Sequence, residues 1–198
     1  MSPAATRFGY SSRSREEYAI DMTRIQLVMC LVAATAVPGS WSPAALAQQR
    51  FELVTGKAFD SAVPKDFYLE GNAIPTQKRN ASLVKTPGGA RALFALIDTA
   101  GYSADIVAKY IGMIITEGDL TICGQKVTVG SYGFGWARPG TGVDQPGKFS
   151  LYNQAGGAVA ECTTPRDAAL KQPRPLQAIV APDGTARLYY GRHYIELR

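Results

Sequence analysis

From residue 80 to the C-terminus, short runs of aliphatic, β-branched and aromatic residues are cut at close intervals by turn-forming clusters, and this punctuation constrains the fold more than any other feature of the chain. The clusters are Pro87-Gly88-Gly89, Glu117-Gly118-Asp119, Gly124-Gln125, Ala155-Gly156-Gly157 and Pro182-Asp183-Gly184. Each contains a glycine that accepts positive φ, so each can reverse the chain. The runs between them (residues 80–86, 90–98, 111–116, 120–123, 126–136, 149–153, 158–163, 178–181 and 186–197) have strand composition, and Phe67-Tyr68-Leu69 adds an earlier β-prone piece. Many short strands joined by tight turns predict an all-β fold, an antiparallel sandwich or barrel. One short helix is expected, with Ser103 as N-cap, Asp105 in the first turn, Ile106, Val107, Tyr110 and Ile111 on one face, and Gly112 as its end. Residues 138–147 and 164–175, rich in Pro, Gly and charge, read as loops.

The N-terminal quarter has a different character. Met22-Thr23-Arg24 opens a basic stretch, residues 25–37 are almost wholly apolar, and Ala45-Leu46-Ala47 forms an A-x-A site before Gln48. That is the three-part pattern of a secretory signal. The apolar run, about 13 residues, falls short of the roughly 20 a spanning helix requires, so no transmembrane anchor is expected after cleavage. Residues 1–21 then read as an extension, 22–47 as the signal peptide and 48–198 as a single β-rich domain. A periplasmic or extracellular protein is expected.

Charge narrows the function classes. From Gln48 onward 17 Lys and Arg face 13 Asp and Glu, spread singly along the chain. A nucleic-acid partner calls for a clustered basic stripe, so that class is set aside. Two cysteines remain after cleavage, Cys123 and Cys162, and in an oxidising compartment a disulfide between them is expected. A thiolate metal site needs about four ligands, and His193 is the only histidine. No metal and no cofactor is expected.

Several short motifs invite a catalytic reading and fail on their context. Asp98-Thr99-Ala100-Gly101 matches the strand end of a GTPase, yet no G-x-x-x-x-G-K-[ST] cradle precedes it. An aspartic protease would need a second carboxylate motif, and Ala100 interrupts the D-T-G order. Ser82-Leu83-Val84-Lys85 matches S-x-x-K, but in a strand positions 82 and 85 face opposite sides. A hydrolase would have to use His193, or a carboxylate pair such as Glu70 with Asp98. No catalytic residue is assigned.

The hairpin-like stretch from Gly124-Gln125-Lys126-Val127 through Gly130-Ser131-Tyr132 is similar to one seen in exported bacterial β-sandwich proteins. Together with Phe67-Tyr68-Leu69-Glu70-Gly71-Asn72, Asp98-Thr99-Ala100-Gly101-Tyr102-Ser103 and Arg174-Pro175-Leu176-Gln177, it resembles a set of uncharacterised exported proteins of soil bacteria. The resemblance implies export and a β-sandwich, and transfers no activity.

These readings rank an exported, non-enzymatic binding module for a small ligand, glycan or envelope protein first, a structural envelope or matrix protein second, and a hydrolase third. Tyr132, Phe134 and Trp136 alternate along one strand and are expected to fill the core, with Trp136, at the strand end, in reach of a ligand. Along the final strand, residues 186–197, Tyr190, Arg192, Tyr194 and Glu196 share one face and are expected to supply polar contacts. The candidate ligand-binding set is therefore Trp136, Tyr190, Arg192, Tyr194 and Glu196.

Overall fold

A computed structural model of the protein describes residues 50–137 and 146–198. The signal-peptide reading, and most of the loop expected at 138–147, lie outside the described residues. Among the described residues thirteen strands and two short helices follow one another as β1 (Glu52–Val54), α1 (Lys57–Ala62), β2 (Asp66–Leu69), β3 (Asn72–Lys85), β4 (Arg91–Ile97), α2 (Ala104–Lys109), β5 (Gly112–Thr116), β6 (Leu120–Ile122) and β7 (Gln125–Val127). The chain continues through β8 (Gly130–Ala137), β9 (Gly147–Asn153), β10 (Ala158–Thr164), β11 (Arg174–Val180), β12 (Ala186–Gly191) and β13 (His193–Leu197).

The strands form two antiparallel sheets. The larger runs β1-β3-β4-β5-β8-β9-β10, with β2 paired to β3, and the smaller runs β11-β12-β13-β6-β7. The two sheets are open, so the architecture is a sandwich and not a barrel. The main core lies between them: Phe94, Ile114, Phe134, Phe149 and Leu151 from the large sheet meet Ile122, Leu188, Ile195 and Leu197 from the small one. The opposite face of the large sheet is covered as well. There Leu83, Leu93, Ala95, Ile97 and Met113 pack with Phe67, Leu69, Ile74, Ile106 and Tyr110. Burial on both faces explains why β4 reads Ala92-Leu93-Phe94-Ala95-Leu96-Ile97 with no polar alternation. In β9, with one face outward, Phe149 and Leu151 alternate with Lys148 and Ser150.

α2 starts as the sequence predicts: Ser103 Oγ accepts from the Ile106 backbone N–H, and Asp105 and Lys109 sit in its first and last turns, where they complement the helix dipole. It ends sooner than expected, because Tyr110 is already extended and Gly112 opens β5, and Val107 is exposed rather than on the buried face. α1 has no such signal. Its N-cap is Gly56, which makes no side-chain cap bond, and none of its residues is buried.

β8 shows the division of labour along one strand. Phe134 is fully buried, Trp136 is 6% exposed and Tyr132 packs partly buried against the same cluster. Phe134 stacks on Phe149 at 5.6 Å and Trp136 meets Phe149 edge-on at 5.3 Å. Each such ring contributes about 2–3 kcal/mol by leaving water. On the other face a Cβ at Gly133 would stand 2.7 Å from the Tyr110 ring, and one at Gly135 would stand 2.3 Å from the Lys109 carbonyl oxygen. The bare side of the strand is the seat of the end of α2.

Two long runs divide where the sequence suggests continuity. Residues 126–136 contain the end of β7 and then β8, which belong to different sheets. Residues 186–197 are a hairpin, β12 and β13, with Tyr190 opposite His193 and Tyr189 opposite Tyr194. Gly191, at φ 62°, makes this two-residue reversal possible. Two further hairpins turn on Glu70-Gly71 and Cys123-Gly124, where all four residues have positive φ, the pattern of a type I′ turn. β11 begins at Arg174, inside the segment expected to be a loop, and β3 reaches back to Asn72.

Cys123 and Cys162 form the expected disulfide, with Cα atoms 5.5 Å apart. It joins the β6–β7 turn of the small sheet to edge strand β10 of the large one. A second tie lies across the sandwich, where Ser82 Oγ on β3 accepts from the Ala178 backbone N–H of β11 at 3.0 Å. Ser82 is thereby committed to packing, and Lys85 lies 4.0 Å from Glu52, so the S-x-x-K letters have separate partners.

Candidate functional site

At one open end of the sandwich the ends of β4 and β8, the start of β11 and the β12–β13 turn surround a cleft of about 560 Å³. Leu96 and Trp136 contribute from the large sheet, Pro173, Arg174 and Pro175 from the entry to β11, and Tyr190, Gly191, Arg192 and His193 from the hairpin. The antiparallel ladder β4-β5-β8 carries the C-terminal ends of β4 and β8 to the same side, which brings Leu96 and Trp136 to one cleft.

Trp136 is anchored there. Its Nε1–H donates to Thr164 Oγ1 at 3.2 Å, and its ring lies 5.6 Å from that of Tyr190. Thr164, wholly buried, holds a second cleft residue: its carbonyl oxygen is 3.1 Å from His193 Nδ1. A carbonyl only accepts, so Nδ1 carries the hydrogen and Nε2 is left as the second polar atom of the ring. Arg192 Nη1 donates to the carbonyls of Ala168 at 3.2 Å and Leu170 at 2.5 Å, fixing the hairpin turn against the segment that leads into β11. Arg174, exposed and flanked by two prolines, makes no side-chain hydrogen bond or ion pair among the described residues. Among the described residues the lining contains two arginines and a histidine and no carboxylate.

The sequence-derived set splits. Trp136, Tyr190 and Arg192 converge on the cleft, whereas Tyr194 and Glu196 stand on the opposite face of the small sheet. That follows from the hairpin: Tyr190 pairs with His193 on the face of Leu188 and Ile195, and Tyr194 pairs with Tyr189 on the other. The single face expected for Tyr190, Arg192, Tyr194 and Glu196 is therefore not formed. Tyr194 and Glu196 line a separate depression of about 340 Å³ beside the disulfide. Arg187 lies 4.4 Å over the Tyr194 ring, and Glu196 is held by Arg187 at 3.6 Å and Arg198 at 2.9 Å. Near them Tyr189 donates to Asp167 Oδ2 at 2.9 Å, and burial, then this bond, raises its pKa.

Arg174, Leu96, Pro173 and Pro175 were not among the sequence candidates, and His193 was considered there only as the residue a hydrolase would use. The Pro173-Arg174-Pro175 triplet carried a usable signal, since two prolines restrict the backbone on either side of one cation. Nothing in the sequence placed it opposite Trp136.

The carboxylates proposed for a hydrolase have separate occupations. Asp98 Oδ1 accepts from the Ala100 backbone N–H at 3.1 Å, closing the Asp98-Thr99-Ala100-Gly101 turn. Glu70 Oε1 accepts from Tyr110 Oη at 2.6 Å and Lys109 Nζ at 2.9 Å. The Tyr110 and Lys109 hydrogen bonds hold the Glu70 carboxyl below its usual range, and the bond to Glu70 raises the Lys109 pKa. Lys109 Nζ also donates to the Gly156 carbonyl at 2.7 Å and lies 4.8 Å over the Tyr152 ring, so this cluster pins α2 to the β2–β3 and β9–β10 turns.

Among the described residues there is no group of three or more His, Cys, Asp or Glu placed to hold a metal ion. Nor is any helix among them long and apolar enough to cross a membrane. No protein family, curated protein or solved structure matches the chain.

Proposed function

We propose that the protein is an exported, non-enzymatic binding module that holds a small ligand in the cleft between Trp136, Arg174 and the β12–β13 turn. The observation that carries this reading is the convergence of Trp136, Tyr190 and Arg192, from two sheets, on one apolar cleft of about 560 Å³. Small-molecule sites are concave, mostly apolar and provided with a few fixed polar groups, and this cleft has that composition. Export is supported by the signal-like residues 22–47 and by the disulfide, which persists in oxidising compartments.

The test uses protein beginning at Gln48, incubated with a small-molecule extract of its exported fraction and then desalted. Native mass spectrometry is expected to show a bound species of small mass on the wild type and its loss from Tyr190→Ala. Retention unchanged in Tyr190→Ala, or no retained species at all, overturns the reading.

A further inference from the structure

The geometry points to an organic monoanion, a carboxylate on a compact apolar frame, as the ligand class of this cleft; the inference rests on the cleft being the binding site. Two features of the lining carry it. The floor is apolar, built from Leu96, Trp136 and Tyr190 with Pro173 and Pro175 at its side. The charged groups among the described lining residues are of one sign, Arg174 and Arg192, with His193 beside them and no Asp or Glu among those residues. Cations gathered in a cleft with low-dielectric walls concentrate their field there and draw in an anion.

The two arginines differ in what they have left to give. Arg192 spends Nη1 on the carbonyls of Ala168 and Leu170, which fixes its position at the turn. Arg174 makes no such bond among the described residues, and its planar fork matches a carboxylate in two parallel hydrogen bonds. Its backbone is restricted by Pro173 and Pro175, so less freedom is lost on binding. A sugar fits less well, because the Trp136 ring is packed between Phe149 and Tyr190 and only 6% of the residue is exposed. A polyanion fits less well, because the described lining carries two arginines and Arg192 Nη1 is already bonded to two carbonyls, which leaves Arg174 as the one unengaged guanidinium among the described lining residues.

Protein beginning at Gln48 contains one tryptophan, Trp136, because the chain's other tryptophan is Trp41. Tryptophan fluorescence therefore comes from this one residue at the border of core and cleft. Three probes of one shape, phenylbutyrate, phenylbutyramide and phenylbutylamine, are titrated against wild type and Arg174→Gln. Phenylbutyrate is expected to perturb Trp136 saturably and to bind about tenfold more tightly than the amide, the amine binding weakest. In Arg174→Gln, where Arg192 remains, the advantage of the acid over the amide is expected to shrink several-fold. An amide that binds wild type as tightly as the acid, with the same Trp136 response, overturns the anion preference and leaves the cleft reading standing. No response to any probe up to its solubility limit overturns the ligand class, and the retention experiment with Tyr190→Ala judges the cleft reading by itself.

Discussion

Tyr190 and Tyr194, four residues apart, stand on opposite faces of the small sheet, because the chain reverses at Gly191-Arg192 between them. Tyr190 lines the cleft with Trp136, and Tyr194 lies under Arg187 on the far side. Their substitutions should therefore separate. Tyr190→Ala is expected to weaken ligand binding at least several-fold, and Tyr194→Ala to leave it unchanged, as read by Trp136 fluorescence. Equal losses in the two variants would contradict the assignment of faces.

Trp136 belongs to the core as well as to the cleft. Trp136→Ala is expected to cost about 3–5 kcal/mol, by loss of burial and creation of a cavity, in addition to weakening binding. Trp136→Phe keeps most of the packing but leaves Thr164 Oγ1 buried without its indole donor, at a cost of about 1–3 kcal/mol. Urea denaturation of both variants checks the order.

The disulfide closes a sequence separation of 39 residues and joins the two sheets. In the chain-entropy picture such a loop stabilises by about 4 kcal/mol. The Cys123→Ala, Cys162→Ala double variant should lose stability of that order in chemical denaturation. Intact mass of the wild type should rise by two hydrogens only after reduction.

The glycine face of β8 makes a prediction against ordinary strand preference, in which alanine outranks glycine. Gly135→Ala would drive its Cβ to within 2.3 Å of the Lys109 carbonyl oxygen, a backbone atom that yields only if α2 shifts. A loss of about 1–3 kcal/mol is expected. Gly124→Ala, whose Cβ meets nothing within 4 Å, is opposed only by its φ of 73°. Thermal melts of the two separate crowding from backbone strain.

Glu70 and Lys109 set a pH window. The folded-state pKa of Glu70 is lowered, chiefly by the Tyr110 hydrogen bond, so its contribution is complete above the unfolded value near 4.5 and is lost as pH falls through the folded one. For Lys109 the shift is upward, chiefly through the bond to Glu70, so its contribution is complete below 10.5 and is lost as pH rises through the folded value. The melting temperature of Glu70→Gln should lie below that of the wild type between these limits. The gap should narrow at both ends, as a pH series of thermal melts would show.

What was legible in the sequence was local. Turn clusters and short alternating runs led to an antiparallel sandwich, Ser103 and Asp105 marked α2, and two cysteines in a chain with a signal-like N-terminus led to the disulfide. In each case neighbouring residues hold the information: a cap, a glycine, an alternation. α1 escaped because no cap bond or buried face marks it. The hairpin at Gly191 escaped although a signal was present: the apolar positions are even before Gly191 (Ala186, Leu188) and odd after it (Ile195, Leu197), a change of phase that one continuous strand cannot bury on one face.

The site depended on that reversal. Moving the chain direction at Gly191 placed Tyr190 and His193 inward and Tyr194 and Glu196 outward, since the reversal shifts the alternation by one position. The pairing of Trp136 with Arg174, 38 positions apart in the numbering, arose only when the large sheet and β11 packed face to face. Strand identity is dictated by short-range sterics and alternation. Which strand ends meet, and which cations they carry to a common cleft, is decided by the burial of two sheets against each other, an energy that belongs to the whole chain.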